Sequence, residues 1–139
     1  MINFSNTTLY DIPLESYLKE WLQTIIQEES FEEGELNFLF CDDDYLHKLN
    51  VQFLNHDTLT DILTFDYNVG RQLHADICIS VDRVKDNASQ HKVAVTNELC
   101  RVMAHGVLHL CGYKDKTIKQ KQEMREREDH YLSKLNLNI

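Results

Sequence analysis

Between Leu99 and Leu110, apolar side chains fall on almost every face of a helix: Leu99, Val102, Met103, Ala104, Val107, Leu108 and Leu110. A helix that is hydrophobic nearly all round belongs inside a protein, so the other elements have to wrap around this one. Two histidines interrupt it. His105 and His109 stand at i and i+4 and project from one side. A buried imidazole needs partners for both ring nitrogens. A lone one is usually a core residue satisfied by its neighbours. A pair at this spacing is better served by a metal on one nitrogen and a hydrogen-bond acceptor on the other.

The residues after the helix extend this reading. Gly112 is suited to end it, because glycine enters the left-handed C′ conformation without steric cost. The chain can then fold back and bring Asp115 towards His105 and His109. Two neutral nitrogens, one carboxylate and an open coordination position describe a catalytic divalent-metal site and point to a metal-dependent hydrolase. Asp115 has a second reading as an N-cap, but Thr117 and Gln120 already form a capping box for the next helix. Cys111 is a rival ligand, although two residues beyond His109 it points nearly to the opposite side. Lys114 has no place as a ligand while protonated.

Gly106 stands where an HExxH metalloprotease carries its glutamate base, which sets proteolysis aside. Glycine inside a helix costs about 1 kcal/mol relative to alanine, so here it marks a close backbone approach. Glu98, seven residues before His105, could orient a ligand histidine or handle protons. Pairing with Arg101 is the commoner use of such a glutamate. Thr60 and Asp61 open a short strand and are turn residues as a rule, though the strand's polar ends could face a cleft.

At 139 residues the chain, 1–139, reads as one metal-dependent hydrolase domain with room for a core. No segment has the length of a membrane span, and the start Met-Ile-Asn-Phe-Ser lacks a basic region followed by an apolar one. Cys41, Cys78, Cys100 and Cys111 form no CxxC pair and read as buried free thiols of a reducing compartment. A cytoplasmic location is expected. The net charge of −9 argues against a polyanion partner, but its distribution does not. Residues 1–44 hold eleven acids against one base, and residues 45–139 hold twelve acids and thirteen bases. Lys114, Lys116, Lys119, Lys121, Arg125 and Arg127 crowd just past the histidines. A polyanion-facing role for Lys114, Lys116 and Lys119 stands beside a plain solvated face, since Glu123, Glu126, Glu128 and Asp129 interleave with the run.

Periodicity predicts a helix from Pro13 to about Glu29 and a strand over Glu35–Cys41, then a helix from Asp42–Asp44 to Leu54. Two further strands follow at Asp61–Phe65 and His74–Ser80. Ser80 caps a helix to about His91, the histidine helix runs from about Thr96 to Cys111, and a last helix runs from Ile118 to about Leu135. Strands and helices alternate around a short sheet, so the class is α/β or α+β.

His105-Gly-Val-Leu-His109-Leu-Cys-Gly112-Tyr113, preceded by Asp57-x-x-Thr60-Asp61-Ile-Leu-Thr64-Phe65 and by Ala75-Asp76-Ile-Cys-Ile-Ser80, resembles the YbeY family. These are bacterial single-strand-specific endoribonucleases, also described as ribosomal RNA maturation factors. The resemblance spans about residues 35 to 132. It implies a mixed sheet of about four strands surrounded by helices, a zinc site at the floor of a cleft, and a role in maturing 16S ribosomal RNA and in ribosome quality control. The partners it implies are single-stranded RNA, 16S rRNA, the small ribosomal subunit and its assembly proteins, with no DNA and no membrane.

The departures from the family pattern are specific. The motif usually continues Asp-His after the tyrosine, with that last histidine as third metal ligand. Here the pair is Lys114-Asp115, so Asp115 falls on the third-ligand position. A carboxylate there hardens the donor set and loosens the preference for Zn2+ over Mn2+ or Fe2+. Leu54 stands where many members carry an arginine, and that residue's role does not pass to a leucine. His56 stands where a lysine is frequent and offers part of the missing charge; a plain exposed loop histidine is the other reading.

The expected chemistry is RNA phosphodiester hydrolysis by a metal-activated water, with His105, His109 and Asp115 as ligands and Lys114, Lys116 and His56 on flanking phosphates. An RNA-binding assembly factor with a structural metal is the alternative. A non-haem iron oxygenase is a distant third, because no barrel-like series of strands accompanies the triad.

Overall fold

A computed structural model describes residues 1–137. Its frame is a four-stranded mixed sheet in the order β1-β2-β4-β3, made of β1 (Ile2–Asn6), β2 (Glu32–Cys41), β3 (Ile62–Asp66) and β4 (Gln72–Ser80). β1 and β4 run parallel to β2, and β3 runs antiparallel to β4. Five helices surround the sheet: α1 (Glu15–Glu28), α2 (Asp43–Leu54), α3 (Val81–His91), α4 (Val95–Leu110) and α5 (Ile118–Leu132). The expected α/β class and the mixed four-stranded sheet are both present.

Side-chain alternation gives the sheet two different faces. Leu36, Phe38 and Phe40 of β2 join Ala75, Ile77 and Ile79 of β4 in the main core, together with Leu18, Leu22 and Ile25 of α1 and the apolar residues of α4. The opposite face is thinner: Cys41, Leu63 and Cys78 pack beneath Leu46 of α2. Burial pushes the thiol pKa values up, to about 12 for Cys41 and about 11 for Cys78, so both remain protonated.

Most predicted element ends hold within two residues, but β2 begins at Glu32, three residues before the expected Glu35, and α5 ends at Leu132 rather than about Leu135. α1 begins two residues beyond Pro13, and β1 has no counterpart among the expected strands. That strand is five residues long and buries only Ile2; its order comes from parallel pairing with Leu36–Phe40, which lie more than thirty residues away. The helix starts follow their caps. Asp42 accepts from the Tyr45 amide, Ser80 from the Arg83 amide, and Thr117 with Gln120 completes the capping box of α5.

α4 lies against β3 and β4 at Gly106. A Cβ built there would stand 2.9 Å from Ile62 Cδ1 and 3.4 Å from Ile77 Cγ2, which is the close approach its glycine implied. The helix then ends in a Schellman motif. Gly112 N–H donates to His109 O and Tyr113 N–H to Leu108 O, both at 3.1 Å, with Gly112 at φ 105°. This turn starts the loop that carries Asp115, and a second anchor fixes its far side. Tyr113 Oη donates to Glu29 Oε1 at 2.9 Å, while Arg127 and the Tyr131 hydroxyl of α5 donate to Glu29 Oε2. Burial acts to raise the Glu29 pKa, but the hydrogen bonds from Tyr131, Arg127 and Tyr113 outweigh it and the carboxyl lies below its ordinary 4.5.

Two predictions follow from these contacts. Gly106→Leu should cost about 1–3 kcal/mol by overpacking against Ile62 and Ile77, and Gly112→Ala about 1–2 kcal/mol from backbone strain alone; urea midpoints measure both. Glu29→Gln should be less stable than wild type at neutral pH. The depressed carboxyl contributes stability above 4.5 that is lost as pH falls through its lower folded value. The two midpoints should therefore converge in acid.

Candidate active site

His105 is the centre of the candidate site, and three elements fix it. Its Nδ1 lies 2.8 Å from Glu128 Oε2 of α5, and its Nε2 lies 3.3 Å from Asp115 Oδ2 on the loop. A carboxylate oxygen only accepts, so Nδ1 carries the proton towards Glu128 and Nε2 is the nitrogen turned to Asp115. Glu128 is 5% exposed. Its other oxygen accepts from Arg101 Nη1 at 3.0 Å, and Arg101 Nη2 reaches Asp129 at 2.7 Å. An imidazole held by a buried carboxylate on one nitrogen is the arrangement that metal-ligating histidines adopt.

Burial pulls the His105 pKa down, but the hydrogen bond and charge of Glu128, with the charges of Asp115 and Asp61, outweigh it and the net direction is up. The same carboxylates that favour a proton on this ring would favour a cation beside it. Two donors on one tetrahedral zinc, each about 2.0–2.1 Å from the metal, stand about 3.3 Å apart. The Nε2 to Oδ2 separation of 3.3 Å equals that spacing. His109 lies one turn further along α4, exposed, its imidazole without a hydrogen bond among the described residues. Among the described residues no three His, Cys, Asp or Glu side chains converge closely enough to hold one ion. The structure thus brings His105 and Asp115 together and leaves His109 apart from them.

The pair opens into a cleft of about 680 Å³ between α3, α4 and α5. Asp61 and Glu98 line it beside Glu128. Burial raises the pKa of both, against the lowering charge of His105 on Asp61 and of His91 and Arg101 on Glu98. Asp61 thus faces the cleft. Glu98 departs from the expected pairing with Arg101: that guanidinium is taken by Glu128 and Asp129, and the salt-bridge partner of Glu98 is His91, whose Nδ1 stands 3.9 Å away. The residue that orients His105 is therefore Glu128, which sequence reasoning left within a solvated charge run. A weak signal for it existed in the buried stripe of α5, where Met124, Glu128 and Tyr131 share one face.

The other candidates are spread out. Cys111 lines a separate groove with Glu29, Tyr113 and Lys114, and burial pushes its thiol up to about 12. Lys116 is exposed just before the N-cap of α5, where its amide donates to Gln120. His56 is exposed on the loop after α2. None of Lys114, Lys116 and His56 lines the His105 cleft.

Comparison with known proteins gives one consistent result. The family model described as Endoribonuclease YbeY matches residues 2–136. Endoribonuclease YbeY of Flavobacterium johnsoniae is 50% identical over 96% of this chain and 96% of its own length. The protein of the same name from Cytophaga hutchinsonii is 49% identical, covering 94% of this chain and 92% of its own. A solution structure of a Thermotoga maritima protein superposes with a TM-score of 0.70 at 30% identity, covering 96% of this chain and 87% of that one. With a family model spanning nearly every residue and relatives near half-identical along more than nine-tenths of their length, this chain belongs to the YbeY family.

Proposed function

We propose that this chain is a metal-dependent endoribonuclease that hydrolyses single-stranded RNA. The observation that carries the reading is the state of His105. A buried glutamate holds its Nδ1, and its Nε2 faces the Asp115 carboxylate at a tetrahedral donor spacing, in an open cleft. Family membership supports the endoribonuclease activity. A role in 16S rRNA maturation and ribosome quality control in the cytoplasm, with the small ribosomal subunit and its assembly proteins as partners, rests on the family resemblance alone. No helix among the described residues is long and apolar enough to cross a membrane.

His105, His109 and Asp115 would hold the divalent ion, with zinc foremost and Mn2+ or Fe2+ as alternatives. When bound, such an ion lowers the pKa of its water ligand and polarises phosphoryl oxygens. The chain's own residues do the rest. Glu128 fixes the tautomer and orientation of His105, and Arg101 holds Glu128 in place. Asp61 and Glu98, both lifted by burial, are the cleft carboxyls suited to carry a proton to or from a reacting oxygen. The two-point anchoring of the 112–117 loop keeps Asp115 facing His105.

A second reading, an RNA-binding assembly factor with a structural metal, is favoured by one observation: Leu54, 45% exposed, stands where many members of the family carry an arginine. Elemental analysis of protein purified without chelators tests both readings. About one zinc per chain is expected in wild type, with a steep loss in Asp115→Ala, His105→Ala and His109→Ala. Glu128→Gln should weaken metal affinity about 10–100-fold. Wild type should cut a labelled single-stranded RNA, and the metal-free variants should not. Cleavage that persists in a metal-free His105→Ala/His109→Ala protein overturns the nuclease mechanism, while RNA binding without metal-dependent turnover selects the second reading.

A further inference from the structure

The cations of this chain divide by partner. Arg127 is held by Glu29, Lys134 by Glu28, Arg101 by Glu128 and Asp129, and Arg83 by Asp43 and Asp86. Two that line the His105 cleft are not held in this way. Lys121 and Arg125 are exposed and make no ion pair among the described residues. They stand at i and i+4 of α5, so they rise from one face, with Cβ atoms about 5–6 Å apart. Ile118, one turn earlier and 81% exposed, and Gln122 lie on the same side, and all four line the cleft. Across the gap, α3 contributes Asn87 and His91.

The cleft is therefore layered by charge. Asp61, Glu98 and Glu128 occupy its floor, and Lys121 and Arg125 form one rim. A polyanion is repelled from the floor and attracted at the rim, so its backbone rides above the carboxylates rather than among them. We propose that Lys121 and Arg125 form a phosphate track that carries the backbone of single-stranded RNA past His105 and Asp115, with Ile118 offering an apolar surface to a base. This rests on the endoribonuclease reading and identifies how that site would hold its substrate. It places the backbone contacts on the second and third turns of α5, away from Lys114, Lys116 and His56.

The test is fluorescence anisotropy with a labelled single-stranded RNA oligomer in EDTA, repeated across a salt series. Lys121→Glu/Arg125→Glu is compared with Lys48→Glu/Lys92→Glu, which makes the same charge change at exposed positions that do not line the cleft. The cleft variant should lose roughly tenfold more affinity than the control, and its log–log salt slope should fall by about 1.4, from about 0.7 per phosphate contact. In cleavage assays KM should rise by a similar factor with kcat little changed. Equal losses in the two variants, or an unchanged salt slope, overturn the track. Wild-type protein that binds the oligomer but never cuts it overturns the nuclease reading instead, and the comparison of affinities still decides the track. Wild-type protein that neither binds nor cuts overturns both.

Discussion

The burial of α4 against the sheet is the constraint on which the rest of this structure depends. The helix lies close to β3 and β4 at position 106, which has no side chain; a Cβ there would crowd Ile62 Cδ1 at 2.9 Å and touch Ile77. That approach buries one flank of a helix which also carries His105, Glu98 and Arg101 on its other flank. Polar groups brought so near a core must be paired or open to a cleft. α5 supplies the pairing through Glu128 and Asp129, and the gap left between α3, α4 and α5 is the cleft itself. Packing and chemistry here share one cause.

The electrostatics of the cleft follow from collecting carboxylates where water is scarce. Asp61 and Glu98 are raised by burial, and Glu128 is shared between Arg101 and His105. Gathering acids in this way is costly unless cations stand among them. Arg101 is one such cation and an imidazolium another; a divalent ion between His105 and Asp115 would be a third and is the proposed resident of the site. The side chains around the Asp115 loop pull the same way. Glu29, at the end of α1, gathers Tyr113, Arg127 and Tyr131, so the loop that carries the candidate ligand is tied to a helix distant in sequence and through it to α5.

Much of this was legible beforehand, and particular residues show why. Caps at Asp42, Ser80 and Thr117 act over three residues, so their helix starts could be read directly. Gly112 ended α4 as expected because its positive φ is a local demand on one residue. The glycine stop after α4 also let the chain fold back, and Asp115 Oδ2 lies 3.3 Å from His105 Nε2. β1 was not legible, because a five-residue strand with one buried side chain owes its order to a distant partner. Glu128 was not legible for a related reason. Its neighbours in sequence are charged and solvated, and only the packing of α5 on α4 shows that it faces His105.

The sequence by itself determined the α/β class and the buried histidine helix with its glycine stop, because each depends on periodicity or on interactions within a few positions. The tertiary structure alone decided which of the candidate residues meet. His105 and Asp115 converge while His109 stands apart, Arg101 leaves Glu98 for Glu128, and Lys121 and Arg125 rather than Lys114 and Lys116 face the cleft. Those outcomes depend on how helices far apart in the chain are rotated and docked. Docking is decided by the shape of a core that no short window of sequence contains.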